Sequence, residues 1–572
     1  MEFSSMRRGG SVARRTLAAL VCLVASGGTV ATADEWWNPA NQVGSDSVLV
    51  TPESTPTTNS FDDMLSNEYS ANPVSPQDGL VEDTLQSLPA DVDQEPSGLQ
   101  TLSEDTQNQV ALADEESFED RLDAFASRLE ALDTLEEEWT DYQDELVAEA
   151  KAKKKKSTIK IGGRVHIDHW SFSNTDAGIN RIESGRIGGA AGDPEQSPEN
   201  ITAFRRLRLE ISGTVPQNMK YRLQVDFNNP QTPEIKDAYL GWTNLPNNQT
   251  LILGNQKRPL GLDHLNSSRY NVFAERPLAV EAFNEDARRF GLAMYGHNDE
   301  ESFCWTYGIY NLENINTDGR FIGDSAQAGG YSRLWGSPWY DDTSGGRGYW
   351  HWGLAGAVAK PDGNAGAGDT NNNEGRFRTR PLARSSQRWL NTGRIDGADW
   401  YQNIGFENIL NLGSLQITGE YILTPMQVED PAAGVDDNLF FHGGYIYASY
   451  FLTGEHMPYN RSTGTLARVK PHENFFLVDR CNGCRGNGWG AWQLAFRYDH
   501  LDLTDGGVNG GVGNLYTAGL NWYWTPYSKV QNNLVWGEIS ESGLAANGNN
   551  PLDAPVNAGN FLIFGTRFMI DF

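Results

Sequence analysis

From Ile159 to the end the chain alternates between greasy and wet positions. Leu207, Leu209 and Ile211 share one parity, and Arg206, Arg208 and Glu210 hold the other. Tyr221, Leu223, Val225 and Phe227 oppose Arg222, Gln224 and Asp226 in the same way, and Trp492, Leu494, Phe496 and Tyr498 oppose Gln493, Arg497 and Asp499. The last twelve residues repeat the pattern. Leu562, Phe564, Phe568, Ile570 and Phe572 fall on one parity, broken only by Thr566; Gly565, Arg567 and Asp571 lie on the other, with Ile563 and Met569. Successive side chains of a strand point to opposite faces, so each segment has one apolar and one polar face. A single such strand suits the edge of a soluble sandwich. Their repetition, with aromatic residues near strand ends, suits a membrane barrel whose outer face meets lipid and whose inner face meets water. The fold class expected is all-β, an antiparallel transmembrane β-barrel.

Connection lengths give a second reading. Short turns at 215–218, 243–249, 297–300, 411–413 and 525–528 alternate with longer loops, including 173–203, 258–287, 312–347 and 541–559. Short turns belong on the periplasmic side of such barrels and long loops outside. Sixteen strands would return the C-terminus to the side where the first strand starts, with the ninth strand near Arg376–Arg380. Two connections fit poorly: 228–233 is short for an outer loop, and 453–488 is long for an inner turn.

Ahead of the barrel domain (159–572) the pattern differs. Arg7, Arg8, Arg14 and Arg15, an apolar run from Leu17 to Val24 and an Ala31-Thr32-Ala33 site predict a secretory signal over 1–33. Residues 34–115 are acidic, rich in Pro, Ser and Thr, and too poor in apolar side chains to offset chain entropy, which predicts disorder. Phe118, Leu122, Phe125, Leu129, Leu132, Trp139 and Leu146 recur at steps of three and four, with Glu136 and Gln143 as polar members. That is a coiled-coil seam over 116–150, and a helix so short needs a partner. The alternative is an amphipathic helix lying on its own domain. A basic linker with five lysines follows at 151–158.

Charge is uneven. Residues 34–150 hold 30 acidic side chains against Arg121 and Arg128, whereas residues 151–572 hold 39 basic against 44 acidic. Nearly all of the net charge of −30 therefore belongs to the N-terminal third. No exposed basic domain points to nucleic acid. Cys304, Cys481 and Cys484 remain beyond the signal. The C-x-x-C pair lacks the βαβ setting of a redox site, and zinc would need more ligands than nearby His472. It reads as a local disulfide or as idle thiols. No nucleophile elbow, H-E-x-x-H or phosphate loop is present, and no cofactor, metal or catalytic residue is expected. Arg164, His166 and Asp168 share one parity of the first strand and read as a lumenal hydrogen-bonded group.

Several motifs then carry a resemblance. Asp237-Ala238-Tyr239-Leu240-Gly241, the run Leu253 to Leu262, Leu265-Asn266-Ser267-Ser268 and Phe273-Ala274-Glu275-Arg276 are followed by Tyr450 to Glu455, Arg468-Val469-Lys470-Pro471, Gly490-Ala491-Trp492 and Gly519 to Tyr523. In this order they resemble the phosphate-selective porin O and P family, over most of 159–572. The resemblance implies a sixteen-stranded trimeric anion porin of the outer membrane with an inward-folded third loop, and the coiled coil fits such a homotrimer. The expected function is diffusion of small hydrophilic solutes, anion-leaning, with inorganic phosphate among the permeants.

Rings of Lys or Arg pass anions when binding stays weak enough for release. The third loop, 258–287, holds Arg258, Arg269, Tyr270 and Arg276, flanked by Lys257, Arg288 and Arg289. Arg206 and Arg208, and Arg376, Arg378 and Arg380, stand at spacing two and would form ladders on one face of a strand. Asp237, Glu275, Glu281, Glu285 and Asp286 lie near enough to neutralise them and leave a general pore. A third reading is a structural barrel whose periplasmic coiled coil and acidic tail, residues 34–150, contact the cell wall.

Overall fold

The computed structural model describes residues 156–185, 197–216, 218–323, 326–363, 372–476, 478–481, 484–543 and 557–572, with scattered positions between 123 and 142. The signal segment, the acidic segment 34–115 and the lysines at 151–155 lie outside the described residues. Within the expected coiled coil, Phe125, Leu135, Trp139 and Tyr142 are helical and exposed, Phe125 at 62% and Trp139 at 63%.

Among the described residues, twenty-two strands follow in order: β1 (Lys160–Thr175), β2 (Ile201–Val215), β3 (Met219–Asp226), β4 (Glu234–Leu245), β5 (Gln249–Lys257), β6 (Arg288–His297), β7 (Phe303–Asn311), β8 (Ala328–Tyr340), β9 (Gly348–Lys360), β10 (Arg378–Thr379), β11 (Leu390–Asn391), β12 (Ala398–Leu412), β13 (Leu415–Val428), β14 (Asn438–Phe451), β15 (Tyr459–Asn460), β16 (Thr465–Leu466), β17 (Val478–Cys481), β18 (Cys484–Gly486), β19 (Ala491–Asp505), β20 (Val508–Thr525), β21 (Ser528–Ser542) and β22 (Asn557–Asp571). Sixteen of them close an antiparallel barrel in the order β1 to β9, β12 to β14 and β19 to β22. The seam is β1 on β22, with Arg164 opposite Asp571 and Asp168 opposite Arg567. Closure leaves no unpaired strand edge, which an apolar solvent would punish.

The alternation along the chain is the barrel's wall. On β22, Phe564, Phe568 and Ile570 face outward and exposed, whereas Phe561, Ile563, Arg567, Met569 and Asp571 are buried within. Thr566, the polar interruption of the outer face, donates to Asn532 Oδ1 at 2.8 Å, so the two satisfy each other across the strands.

The ninth strand is not where the spacing of arginines suggests. Arg378–Thr379 forms a two-residue strand with Leu390–Asn391, inside the connection between β9 and β12 and apart from the barrel sheet. The wall strand that takes its place in the count is β8, which lies in the segment expected to be the loop 312–347. β8 hides because its faces are inverted in character. Tyr331, Arg333 and Trp335 point inward, and small Gly330 and Ser332 occupy the outer face. The two differences cancel, so the count of sixteen stands.

Both poorly fitting connections have causes. Residues 227–233 do form a short link at the long-loop end. Residues 452–490 are no simple turn, because their β15–β16 hairpin is tied to the inner wall. Arg333 donates to Thr463 O at 3.1 Å and Gly464 O at 3.0 Å, and Trp335 Nε1 donates to Arg461 O at 3.2 Å. Gly464 (φ 62) sits where a Cβ would strike the Trp335 ring. Cys481 and Cys484 stand opposite each other in the β17–β18 hairpin of the same segment.

The lumen is half dry. Loop 258–287, with short helices Leu262–Leu265 and Leu278–Phe283, packs Leu260, Val272, Phe273, Leu278, Val280 and Phe283 into one apolar cluster with Ile422, Phe441, Tyr447, Leu501, Leu515 and Ile563 of β13, β14, β19, β20 and β22. Phe283, Phe377 and Phe441 make edge-on ring contacts at 5.4 and 5.6 Å. Apolar burial drives this packing, and the open space that remains is lined by β1 to β8.

Leu534 sits mid-strand on the outer face, between Ala518 and Phe564. Leu534→Arg is expected to cost about 2–4 kcal/mol of folding stability in lipid vesicles, read by urea titration. A cost near zero would mean that this face does not meet hydrocarbon.

Candidate functional site

The wet half of the lumen is built by a bulge and a loop. Between β1 and β2 the register skips a residue: His166 pairs with Arg206 and Ile167 with Phe204, so Arg205 is the extra residue. A β-bulge re-aims side chains, and here Arg205 and Arg206 both turn inward while Phe204 faces out. Arg205 forms a two-pronged pair with Glu275 of the third loop, at 2.7 and 3.0 Å. Strict alternation sends Arg205 to lipid. An arginine there costs about 2–4 kcal/mol at the bilayer midplane, and that cost is the sequence signal of the bulge.

The third loop is pinned from several sides. It turns at Gly261 (φ 82), where a Cβ would lie 2.9 Å from Val280 Cγ1. Leu262 N donates to Glu420 Oε2 at 3.0 Å, Ala274 N to Asn533 Oδ1 at 2.8 Å and Leu278 N to Asp499 Oδ1 at 3.2 Å. Lys257 Nζ donates to the Leu265 and Asn266 carbonyls at 2.8 and 3.1 Å. Each tie leads from the loop to a wall strand, so the loop's charged side is held in place.

Two cavities lie along that charged side. The one toward the long-loop end holds about 280 Å³ and the one toward the short-turn end about 500 Å³. Arg208 and Arg276 line both and mark the junction. The larger cavity takes Arg164, Arg208, Lys220, Arg222 and Arg288 from the wall, Lys257 and Arg276 from the loop and its stem, and Arg333 from β8. Among the described residues its one carboxylate is Asp237. The smaller cavity is mixed: Arg205, Lys236, Arg380, Arg384 and Arg388 join the two junction arginines, against Asp226, Glu234, Glu275, Glu281 and Asp286.

Many of these cations are paired. Arg208 bonds Asp226 at 2.7 Å, Arg288 bonds Asp237 at 2.6 Å, and Arg222 bonds Glu210 at 2.7 Å and Asp237 at 3.4 Å. Arg333 is neutralised by Glu407 at 2.7 Å. Others have no carboxylate partner among the described residues. Arg276 donates through Nε to the Asp263 carbonyl at 3.0 Å, and Arg380 to the Ser385 carbonyl at 2.9 Å. Burial, then the neighbouring Arg388, Arg384 and Arg205, push the Arg380 guanidinium down to about 10. Arg205, and then burial, lower Arg384 as well. Cations crowded in this way are relieved by an anion.

The remaining sequence candidates divide. Lys257, Tyr270, Arg276 and Arg288 line the larger cavity, and Arg380 the smaller. Arg206 is buried beside His166 Nδ1 at 3.3 Å. Arg258 and Arg289 line neither cavity. Arg258 donates to Tyr331 OH at 3.0 Å and the Glu285 carbonyl at 3.1 Å, and Arg289 to the Leu312 and Arg288 carbonyls. Arg269 pairs with Asp571 at 3.2 Å, and Arg378 with Glu285 at 2.9 Å. Arg376 stands apart from both cavities. Arg205, Lys220, Arg384 and Arg388 join the cavities without standing out in the sequence. Lys220 has the right parity, and the other three depend on a bulge or on a loop folding inward.

The family model for phosphate-selective porin O and P matches residues 159–572. The chain belongs to that family. It is an outer-membrane diffusion porin and not an enzyme. A Caulobacter vibrioides protein, described only as uncharacterized, is 26% identical over 421 residues, covering 73% of this porin and 74% of its own length. Solved structures are similar at low identity and low TM-score. A loop-deleted OmpT of Vibrio cholerae covers 72% of the porin and 99% of itself, at 11% identity and a TM-score of 0.41. An anion-selective porin from Comamonas acidovorans covers 73% and 100%, at 14% identity and 0.39. The channel DcaP of Acinetobacter baumannii covers 72% and 97%, at 10% identity and 0.38.

The third loop also carries a pH dependence. His264 Nε2 lies 3.3 Å from Glu281 Oε2. Burial, reinforced by Arg276, depresses His264 to about 4 although Glu281 opposes the shift. Burial pulls Glu281 up, but His264 and then Arg276 hold it down at about 2. His264 binds a proton more weakly in the folded porin than in the unfolded chain. Stability is therefore expected to fall as pH drops from about 6.5 to about 4. Urea midpoints across that range check it: His264→Gln should flatten the slope, and an unchanged slope would assign the dependence elsewhere.

Proposed function

We propose that this porin passes small anions in preference to cations, with inorganic phosphate among them, through the junction at Arg208 and Arg276. The observation that carries the reading is the larger cavity, where, among the described residues, eight cationic side chains meet a single carboxylate, Asp237. Guanidinium matches phosphate oxygens in a fork and ammonium supplies a point charge. The pairs at Asp226, Asp237 and Glu210 keep several cations partly neutralised, which lets an ion leave as well as enter. Of the candidates named from sequence, Lys257, Arg276, Arg288 and Arg380 are the pathway cations in this reading. Arg258, Arg269, Arg289 and Arg378 serve to hold the loops.

We also propose that the short-turn end faces the periplasm and that three copies assemble through the helix over 116–150. Exposure of the seam residues Phe125 and Trp139 supports a partner for that helix. In this arrangement residues 34–150 reach the cell wall, and the C-x-x-C hairpin at Cys481 and Cys484 closes as a disulfide in the oxidising periplasm.

Reversal potential in planar bilayers under a KCl gradient tests the pathway, and anion preference is expected. Removing one unit charge from a wet site changes ion energies by about 1 kcal/mol, roughly fivefold. Arg276→Ala should therefore lower the chloride-to-potassium permeability ratio by about that factor, and Arg269→Ala much less. Equal effects, or none, would move the filter away from Arg276. Absence of conductance would leave the anchoring role of the helix as the reading.

A further inference from the structure

Within the porin the two cavities differ in kind as well as in charge. The smaller one is walled by ions, with only Leu382 and Ala383 as apolar members among the described residues. The larger one combines cations with apolar surface. Its cations include Arg164, Lys220, Arg222 and Arg288 from β1, β3 and β6. Among them stand Ile252, Pro259, Leu265 and Leu466, with the rings of Tyr239 and Tyr295.

This apolar surface is not a by-product of alternation. The inward positions of β5 on the same parity are Thr250, Gly254 and Gln256, so Ile252 is the apolar side chain in that row. Tyr239 stands opposite Arg222 on β3 and opposite Gly254 on β5. Gly254 has φ 133, and a Cβ there would lie 2.3 Å from the Ala238 carbonyl oxygen and 2.7 Å from Tyr239 Cα, so the glycine lets the two strands approach closely beside Tyr239. Leu466 is brought in by the 452–490 segment, whose backbone meets the third loop where Leu466 N donates to Asn266 Oδ1 at 2.9 Å. Three separate elements thus deliver apolar surface to a cavity that is also lined by cations.

An inorganic ion has no use for such a wall, because apolar surface offers it neither charge nor a hydrogen bond. A cavity of about 500 Å³ also falls within the range of roughly 300–1,000 Å³ that takes organic ligands. We infer that the larger cavity is a holding site for organic anions that carry an apolar body, such as aromatic carboxylates, with the carboxylate toward Lys220 and Arg222 and the ring against Ile252 and Tyr239. The inference rests on the anion reading above and names the permeant class of that pathway. Each buried methylene is worth about fourfold in affinity, so a ring separates sharply from a methyl group.

Block of the KCl current in planar bilayers tests it, with benzoate, acetate and inorganic phosphate each titrated from the same side. Benzoate is expected to half-block at roughly tenfold lower concentration than acetate. Ile252→Thr should narrow the benzoate-to-acetate ratio about threefold, with heat-modifiable migration in detergent gels as the check that the variant has folded. If it does not fold, the wild-type ratio alone decides. Equal block by benzoate and acetate, with an anionic reversal potential, would overturn this inference and leave the anion pathway standing. A cationic reversal potential would overturn both.

Discussion

Every backbone donor in the wall must find its acceptor inside the wall, because hydrocarbon offers none. The seam between β1 and β22 meets that requirement, and the rest of the molecule depends on it. Once the sheet is closed, side chains have two destinations, lipid or lumen. The seam is also where the lumen's charge begins: Arg567 of β22 bonds Asp168 of β1 at 2.6 Å and Glu275 of the third loop at 2.7 Å, and Glu275 in turn holds Arg205 of β2. One chain of ion pairs therefore links barrel closure to the loop that narrows the pore.

That loop works by having two unlike sides. Its apolar side fills the lumen against β13, β14, β19, β20 and β22, and burial there supplies the energy that holds it. Its polar side, with Arg276, is thereby left facing β1 to β6 across water. A charged filter made of mobile side chains would collapse onto the nearest carboxylates. Here Asp226 is engaged by Arg208 and Asp237 by Arg288, while the hydrogen bond that the Arg276 side chain makes among the described residues goes to a carbonyl.

Much of this architecture is legible in the order of residues alone. The alternation on β2, β3, β19 and β22 reads correctly, because a barrel wall obeys a period of two with lipid on one side and water on the other. The third loop shows itself by its length. Local reading fails where distant packing sets the pattern. β8 has glycine and serine outside and aromatics inside, since Tyr331 and Trp335 pack on Arg258 and on the inward 452–490 segment. Arg376 to Arg380 mimic a strand by spacing alone, yet they lie in a connection folded into the lumen, where Arg378 answers Glu285.

Most of the closed wall and much of the stock of lumenal cations can be read along the chain, because the lipid boundary sets the parity of a wall position locally wherever no bulge or inward packing intervenes. Which of those cations stand free is settled by the folded molecule. Arg258 and Arg289 are spent on carbonyls and Arg269 on Asp571, whereas Arg276 and Arg380 reach open cavities, and Arg205 joins them through a one-residue bulge. Pairing of charge depends on residues brought together across 12 to nearly 400 positions of chain, from Arg222 with Glu210 to Asp168 with Arg567. No local pattern carries that information.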